Sequence, residues 1–195
     1  LVVVRLSRVL EPLLVASVFG LFLRAFLLAA VVIESRSMTP TLEPGDRVLV
    51  NRFVFSAPSA AWLPSREPGP GDLVELRSSA RGEPTLIKRI AGRGPVTVQI
   101  RDKKVSLDGV ATDVATAHWD DERIYPNSPF LEDALRLRDN LSPLDVGERQ
   151  LFVLGDNRDY SVDSRMFGAV DRRRVIGRPF LRVGAPYGRP WALVR

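Results

Sequence analysis

Apolar residues run almost unbroken from position 13 to position 33, LLVASVFGLFLRAFLLAAVVI, interrupted only by Ser17, Gly20 and Arg24. As a helix, a stretch of that length reaches across a bilayer. A mid-membrane arginine costs about 2.5–3.5 kcal/mol. Against it stand fourteen Leu, Ile, Val and Phe side chains, each worth roughly −0.3 to −0.6 kcal/mol near the centre, so the sum favours insertion. Arg5 and Arg8 precede the run and predict a cytoplasmic N-terminus, with everything after Ile33 on the far side. A cleavable secretory leader and a buried core helix are the alternatives.

Beyond residue 34 the texture changes to short runs with period-two alternation or β-branched enrichment: 46–55, 72–77, 85–92, 96–102, 104–110 and 149–156. Turn signals separate them, EPGD, REPGPGD, RGEP, LDG and SPLDVGE, a pattern that predicts a mostly β domain of small sheets. Residues 111–149 are polar, with a candidate short helix at FLEDALRLR and no clear strand ladder. They read as an insertion or cap. The predicted organisation is thus a tail and transmembrane helix over 1–34 and one β domain over 35–195.

Composition narrows the chemistry. The chain has no cysteine and a single histidine, His118, which excludes disulfides, thiol nucleophiles and a histidine or cysteine metal cage; no metal and no cofactor is expected. A Ser-His-Asp triad would need His118, which has no serine motif beside it. Lys88, Lys103 and Lys104 are the only lysines, so apart from the N-terminus only they offer an amine that can lose its proton, since arginine stays charged. The net charge of +5 raises nucleic acid or anionic lipid as partners, but the arginines are scattered, and no nucleic-acid partner is expected.

Three segments carry candidate chemistry. SRSMTPTLEPGD (35–46) sets Ser35 and Ser37 just after the apolar run and before a tight turn; a serine there could be a cap, a turn residue or a nucleophile. In TLIKRI, alternation puts Lys88 on one face with Leu86 and Ile90, the face a β domain ordinarily buries. A buried ammonium loses proton affinity and can then act as a base near neutral pH. The alternative is an edge-strand lysine with its head in water. Between apolar segments, LGDNRDYSVDSRMFGAV (154–170) packs small polar and charged residues, which suits a hydrogen-bonded loop at the base of a site or a solvated surface loop.

Taken in order, SMTPTLEPGD, LIKRIAG and GDNRDYSVDSR, the first tied to an apolar helix, resemble the sequence boxes of type I signal peptidases, the Ser-Lys serine proteases that release exported proteins from their leader peptides. The resemblance covers residues 20–170 or so. The same catalytic fold is shared more loosely with LexA-like self-cleaving repressors, whose DNA-binding helix-turn-helix has no counterpart here. The resemblance implies a signal-peptidase/LexA-like β-fold, Ser37 as nucleophile, Lys88 as general base, and Ser35 joining the Ser37 N–H in the oxyanion hole. It also implies Ser161 as the hydroxyl that hydrogen-bonds and orients the lysine. Asp163 and Arg165 match a salt-bridged pair, with Gly155 and Asp156 holding the loop close. Ile33, Met38, Leu42, Leu86, Ile87 and Val162 match positions near substrate pockets that accept small residues one and three before the cut.

The implied partners are preprotein signal peptides and the lipid bilayer, with the secretion translocon a further candidate. The implied location is the bacterial cytoplasmic membrane, single-pass, with the catalytic domain on the extracytoplasmic side. Two departures stand out: Arg93-Gly94-Pro95-Val96 replaces the family's Pro-Gly-Asp turn, and Arg24 interrupts the apolar segment. A specialised processing peptidase of the same fold, such as one maturing pilin-type subunits, and an inactive extended-peptide-binding module are the competing readings.

Overall fold

The computed structural model describes residues 10–20, 28–55, 65–78, 82, 84–112 and 115–194. Residues 10–20 form helix α1. The strands are β1 (Leu28–Val32), β2 (Arg47–Asn51), β3 (Leu73–Leu76), β4 (Leu86–Arg93), β5 (Val96–Arg101), β6 (Lys104–Leu107), β7 (Val110–Thr112), β8 (Leu141–Val146), β9 (Gln150–Leu154), β10 (Val170–Asp171), β11 (Val175–Gly184) and β12 (Ala192–Leu193). Two short helices, α2 (Asp133–Arg136) and α3 (Ser164–Phe167), and 3-10 turns including Arg36–Met38 complete the chain. An eight-stranded sheet runs β1-β2-β11-β3-β4-β9-β10, with β12 on β11, and a four-stranded sheet runs β7-β6-β5-β8. The predicted mostly β fold is what forms.

The expected helix over 13–33 ends short. Residues 28–32 are instead an edge strand, antiparallel to β2 with Leu28 opposite Asn51 and Val32 opposite Arg47. The β-branched pair Val31 and Val32 leads directly into Ile33, which is buried in the core, so tertiary pairing overrides the apolar run there. No helix among the described residues is long and apolar enough to cross a membrane; Arg24, Arg5 and Arg8 lie outside the described residues. Through β1 the large sheet reaches back to residue 28.

Two other readings are corrected. Residues 141–146, part of which reads as a turn signal, form β8 against β5, with Leu144 opposite Val98; Pro143 and Asp145 mask it because its middle positions are largely exposed. The second is β11, which the pattern does not announce. Gly177 and Pro179 break its alternation, and register shifts accompany both positions. Yet β11 lies between β2 and β3. Gly177 is needed because a Cβ there would meet Val50 Cγ1 at 2.5 Å.

Three apolar clusters hold these layers. Ala91, Phe152 and Leu154 of the large sheet pack with Val98, Ile100, Val105, Leu141 and Val146 of the small one. Val74, Leu76, Ile90, Leu151, Val153 and Val170 form a second cluster. The third joins Ile33, Met38, Leu42, Val48, Leu73, Ile87 and Val194, and it underlies the segment that carries the two serines.

Candidate active site

Ser37 sits in the 3-10 turn Arg36–Met38, with Ser35 as its extended N-terminal flank. The turn is pinned from both ends. Ile33 N–H donates to Asp46 C=O and Gly45 N–H to Ile33 C=O, while Leu42 N–H donates to Met38 C=O. Met38 is almost wholly buried and anchors the turn in the cluster beneath. Such a short, doubly tied turn leaves little freedom to the Ser37 hydroxyl.

Lys88 arrives from β4. Its Nζ lies 2.8 Å from Ser37 Oγ and donates to it, and both residues are buried, Lys88 at 3% exposure and Ser37 at 5%. Burial pushes the Lys88 amine down from 10.5 to about 8; the charges of Asp163 and Asp156 pull it back up, and that of Arg165 pushes it down. Desolvation wins because no carboxylate among the described residues forms an ion pair with the amine. Ser35 Oγ lies 3.1 Å from Ser37 Oγ on the exposed side.

The polar loop after β9 closes the base of the site. Asn157 N–H donates to Ser37 C=O at 3.1 Å, and Gly155 lies so close that a Cβ on it would meet the same carbonyl oxygen at 2.5 Å and collide with the Ser161 side chain. Asp163 is wholly buried and is gripped by Arg165 through two hydrogen bonds of 2.9 Å, and Gly155 N–H donates to its Oδ2 at 3.0 Å. Burial works to raise the Asp163 carboxyl, but the Arg165 charge and these hydrogen bonds outweigh it and hold it below the ordinary carboxylate range. Arg165 also donates to the carbonyls of Arg138 and Arg158, so all three of its guanidinium nitrogens are engaged.

Asp156 is the second buried carboxylate. Arg89 binds it in bidentate fashion, Nε to Oδ1 at 2.8 Å and Nη2 to Oδ2 at 2.7 Å, and the hydroxyls of Thr41 and Thr116 donate to it at 2.6 and 3.0 Å. Asp156 therefore ties four segments together. Arg89, Thr41 and Thr116 were not among the residues expected from the sequence. A signal for Arg89 exists: it neighbours Lys88 in an apolar strand, and a buried arginine requires a carboxylate.

The insertion buttresses this loop. His118 N–H donates to Asp156 C=O, Arg158 N–H donates to His118 C=O, and Arg138, paired with the buried Asp139, also reaches Asp159 at 3.3 Å.

A groove of about 560 Å³ opens beside Ser37 and Lys88, and Ile33, Met38, Leu86 and Ile87 line it. Leu42 does not; it is wholly buried in the cluster below the turn. Neither does Val162, which is 62% exposed and lines a separate cavity with Tyr160 and Met166. The expected hydrogen bond from Ser161 to Lys88 is also not formed. The Ser161 side chain is packed over Gly155 and its hydroxyl helps to hold the Asp163 carboxyl low, while the lysine reaches forward to Ser37.

Two strand edges border the groove. Among the described residues β1 pairs with β2 alone, which leaves its other edge open, and β9 pairs with β4 only over Arg89–Arg93, which leaves an open edge at residues 86–88. An extended peptide laid there finds backbone donors and acceptors on both sides.

The family described as signal peptidase, peptidase S26, matches residues 6–184. Signal peptidase I of Bacillus licheniformis is 30% identical over 168 residues, covering 86% of this chain and 82% of its own length. Probable signal peptidase I-1 of Synechocystis sp. is 30% identical over 172 residues, covering 87% and 78%. A crystal structure of a signal peptidase I from Enterococcus faecalis V583 aligns with a TM-score of 0.43 at 31% identity, covering 58% of this chain and 97% of that one.

Proposed function

The chain belongs to the signal peptidase family, peptidase S26, and from that premise we propose that it is a leader peptidase in which Ser37 is the nucleophile and Lys88 the general base. The observation that carries this reading is the 2.8 Å contact between a buried lysine amine and a serine hydroxyl. With its proton affinity lowered to about 8, a usable fraction of the amine is neutral at physiological pH. The neutral amine takes the Ser37 proton as Oγ attacks the carbonyl carbon of the scissile bond. As the C=O π bond opens, negative charge develops on the scissile carbonyl oxygen, and the Ser37 N–H and the Ser35 hydroxyl receive it. The lysine then passes its proton to the departing amine, and a water activated by the same lysine releases the acyl group.

The substrate is an exported preprotein whose leader lies extended along the β1 and 86–88 edges, with small side chains one and three residues before the cut. Asp163, Arg165, Gly155 and Asp156 act by holding the loop against the Ser37 carbonyl. Ser161 fills the space over Gly155 and supports the loop through packing.

Support for membrane attachment comes from α1, whose residues 10–20 are exposed although Leu10, Leu13, Leu14, Val15, Val18 and Phe19 are apolar. Such a helix calls for a non-aqueous surround. With an N-terminal anchor of this kind the site would lie at the lipid surface on the extracytoplasmic side, where a leader emerges from the translocon.

The test is cleavage of a model preprotein by purified protein in detergent. Wild type should cut after a small-x-small sequence. Ser37→Ala and Lys88→Ala should leave the preprotein intact while retaining the wild-type circular dichroism spectrum; near-full activity in Lys88→Ala would remove it as the base.

A further inference from the structure

The groove beside Ser37 contains a carboxylate that the mechanism does not use. Glu75 on β3 is directly opposite Ile87 on β4, so the two side chains share a face, and both line the groove together with Ile33 and Met38. Glu75 is only 1% exposed. Its Oε1 accepts a hydrogen bond from the Thr85 hydroxyl at 2.9 Å. Its Oε2 is buried and has no hydrogen-bond partner among the described residues; Arg52 Nε, on a half-exposed side chain that also lines the groove, is the ion-pair partner at 3.8 Å.

A buried carboxylate oxygen without a donor is costly. Leucine or valine at position 75 would complete the apolar wall that Ile87, Ile33 and Met38 begin, so an acid there gives the groove a different chemistry. Resting on the leader-peptidase reading above, we propose that Glu75, steadied by Thr85, is a specificity-determining residue that selects a hydrogen-bond-donating side chain on the leader, upstream of the cut. An extended peptide presents alternate side chains to one wall of the groove. The residue facing Glu75 gives its hydroxyl, amide or ammonium proton to Oε2 and supplies the missing partner. An aliphatic side chain at that position leaves the oxygen unsatisfied and dry, which is how a site built for a donor rejects analogues that lack one.

The test separates binding from cleavage. Fluorescent leader peptides carrying Ser, Lys or Val in turn at each of the six positions before the cut are titrated against full-length Ser37→Ala protein in detergent. At one position Ser and Lys should bind about tenfold tighter than Val, the equivalent of ~1.4 kcal/mol. Adding Glu75→Val should invert that order, and the shape-conserving Glu75→Gln should keep the Ser preference while losing the one for Lys. The same ranking in all three proteins would overturn the proposal. If the peptides bind too weakly to rank, kcat/KM ratios for the same substitutions in the Ser37-bearing enzyme give the same two readings. A protein that shows the binding preference but cleaves no preprotein would sink the peptidase function and leave the subsite standing.

Discussion

Two kinds of buried cation stand within a few residues of each other, and they are treated in opposite ways. Arg89 and Arg165 are each locked to a carboxylate through paired hydrogen bonds, Asp156 for one and Asp163 for the other. Lys88, equally buried, hydrogen-bonds to the Ser37 hydroxyl, forms no ion pair among the described residues, and feels the two carboxylates from a distance. Guanidinium groups cannot surrender a proton, so the fold uses them as fixed struts; an ammonium can, so the fold leaves it unpaired and its proton becomes labile. The loop's rigidity and the lysine's reactivity are thus one arrangement. Full pairing of Lys88 would raise its proton affinity and stop it acting as a base.

The comparison breaks most sharply at the unpaired cation itself. Lys88→Met should lower kcat by about a thousandfold or more, measured on a preprotein substrate, yet it should not unfold the protein. Because the folded-state pKa of about 8 lies below the ordinary 10.5, the unfolded chain binds more protons in that interval and wild-type stability rises with pH across it. Below pH 8 the full penalty of roughly 3 kcal/mol is present. Lys88→Met should therefore be the more stable protein at pH 7 in denaturant titration, with the gap closing toward pH 10.5.

The struts should behave in the reverse sense. Asp163→Asn or Arg165→Met leaves one buried charge unpaired, and each should cost about 3–5 kcal/mol in urea unfolding. Removing both together should cost less than the two losses added. The next effect is smaller and reports on the lysine from outside. The kcat/KM profile of wild type should rise with pH through about 8 as the amine becomes neutral. Asp163 favours the ammonium and Arg165 opposes it, so Asp163→Asn should move the rise to lower pH and Arg165→Met to higher pH. A shift of both in the same direction would mean that loop collapse, and not charge, governs the lysine. The smallest expected effect is that of Thr41→Val, which removes one of the hydrogen bonds to Asp156 and should cost about 1–2 kcal/mol with the position of the pH profile unchanged.

Legibility in the sequence follows the range of the interactions. The strands β2 and β5 show because buried positions alternate with more exposed ones along them, while β3, β4 and β9, buried along almost their whole length, show as short apolar runs bounded by turn residues. The strand β11 does not, since Gly177 and Pro179 answer to Val50 and to register shifts against β2 rather than to their own neighbours. Residues 28–32 look like the end of a membrane helix because apolar content is common to lipid and protein core; only pairing with β2 separates the two. Matching positions put Leu42 and Val162 near the groove, but burial under the turn claims one and the exposed rim of the loop the other.

By itself the sequence determined the chemical vocabulary: three lysines, one of them in an apolar strand, serines ahead of a tight turn, and a dense run of small polar residues. Those are properties of residue type and order, and they suffice because a base must be able to lose its proton and a nucleophile must be able to give one up. Only the tertiary structure decided which groups meet. Residues 37, 88 and 157 converge across strands from distant parts of the chain, Arg89 finds Asp156 across 67 positions, and Glu75 is left facing a groove whose walls come from four different segments. Distance and burial set a proton's affinity, and neither is written along a chain until it folds.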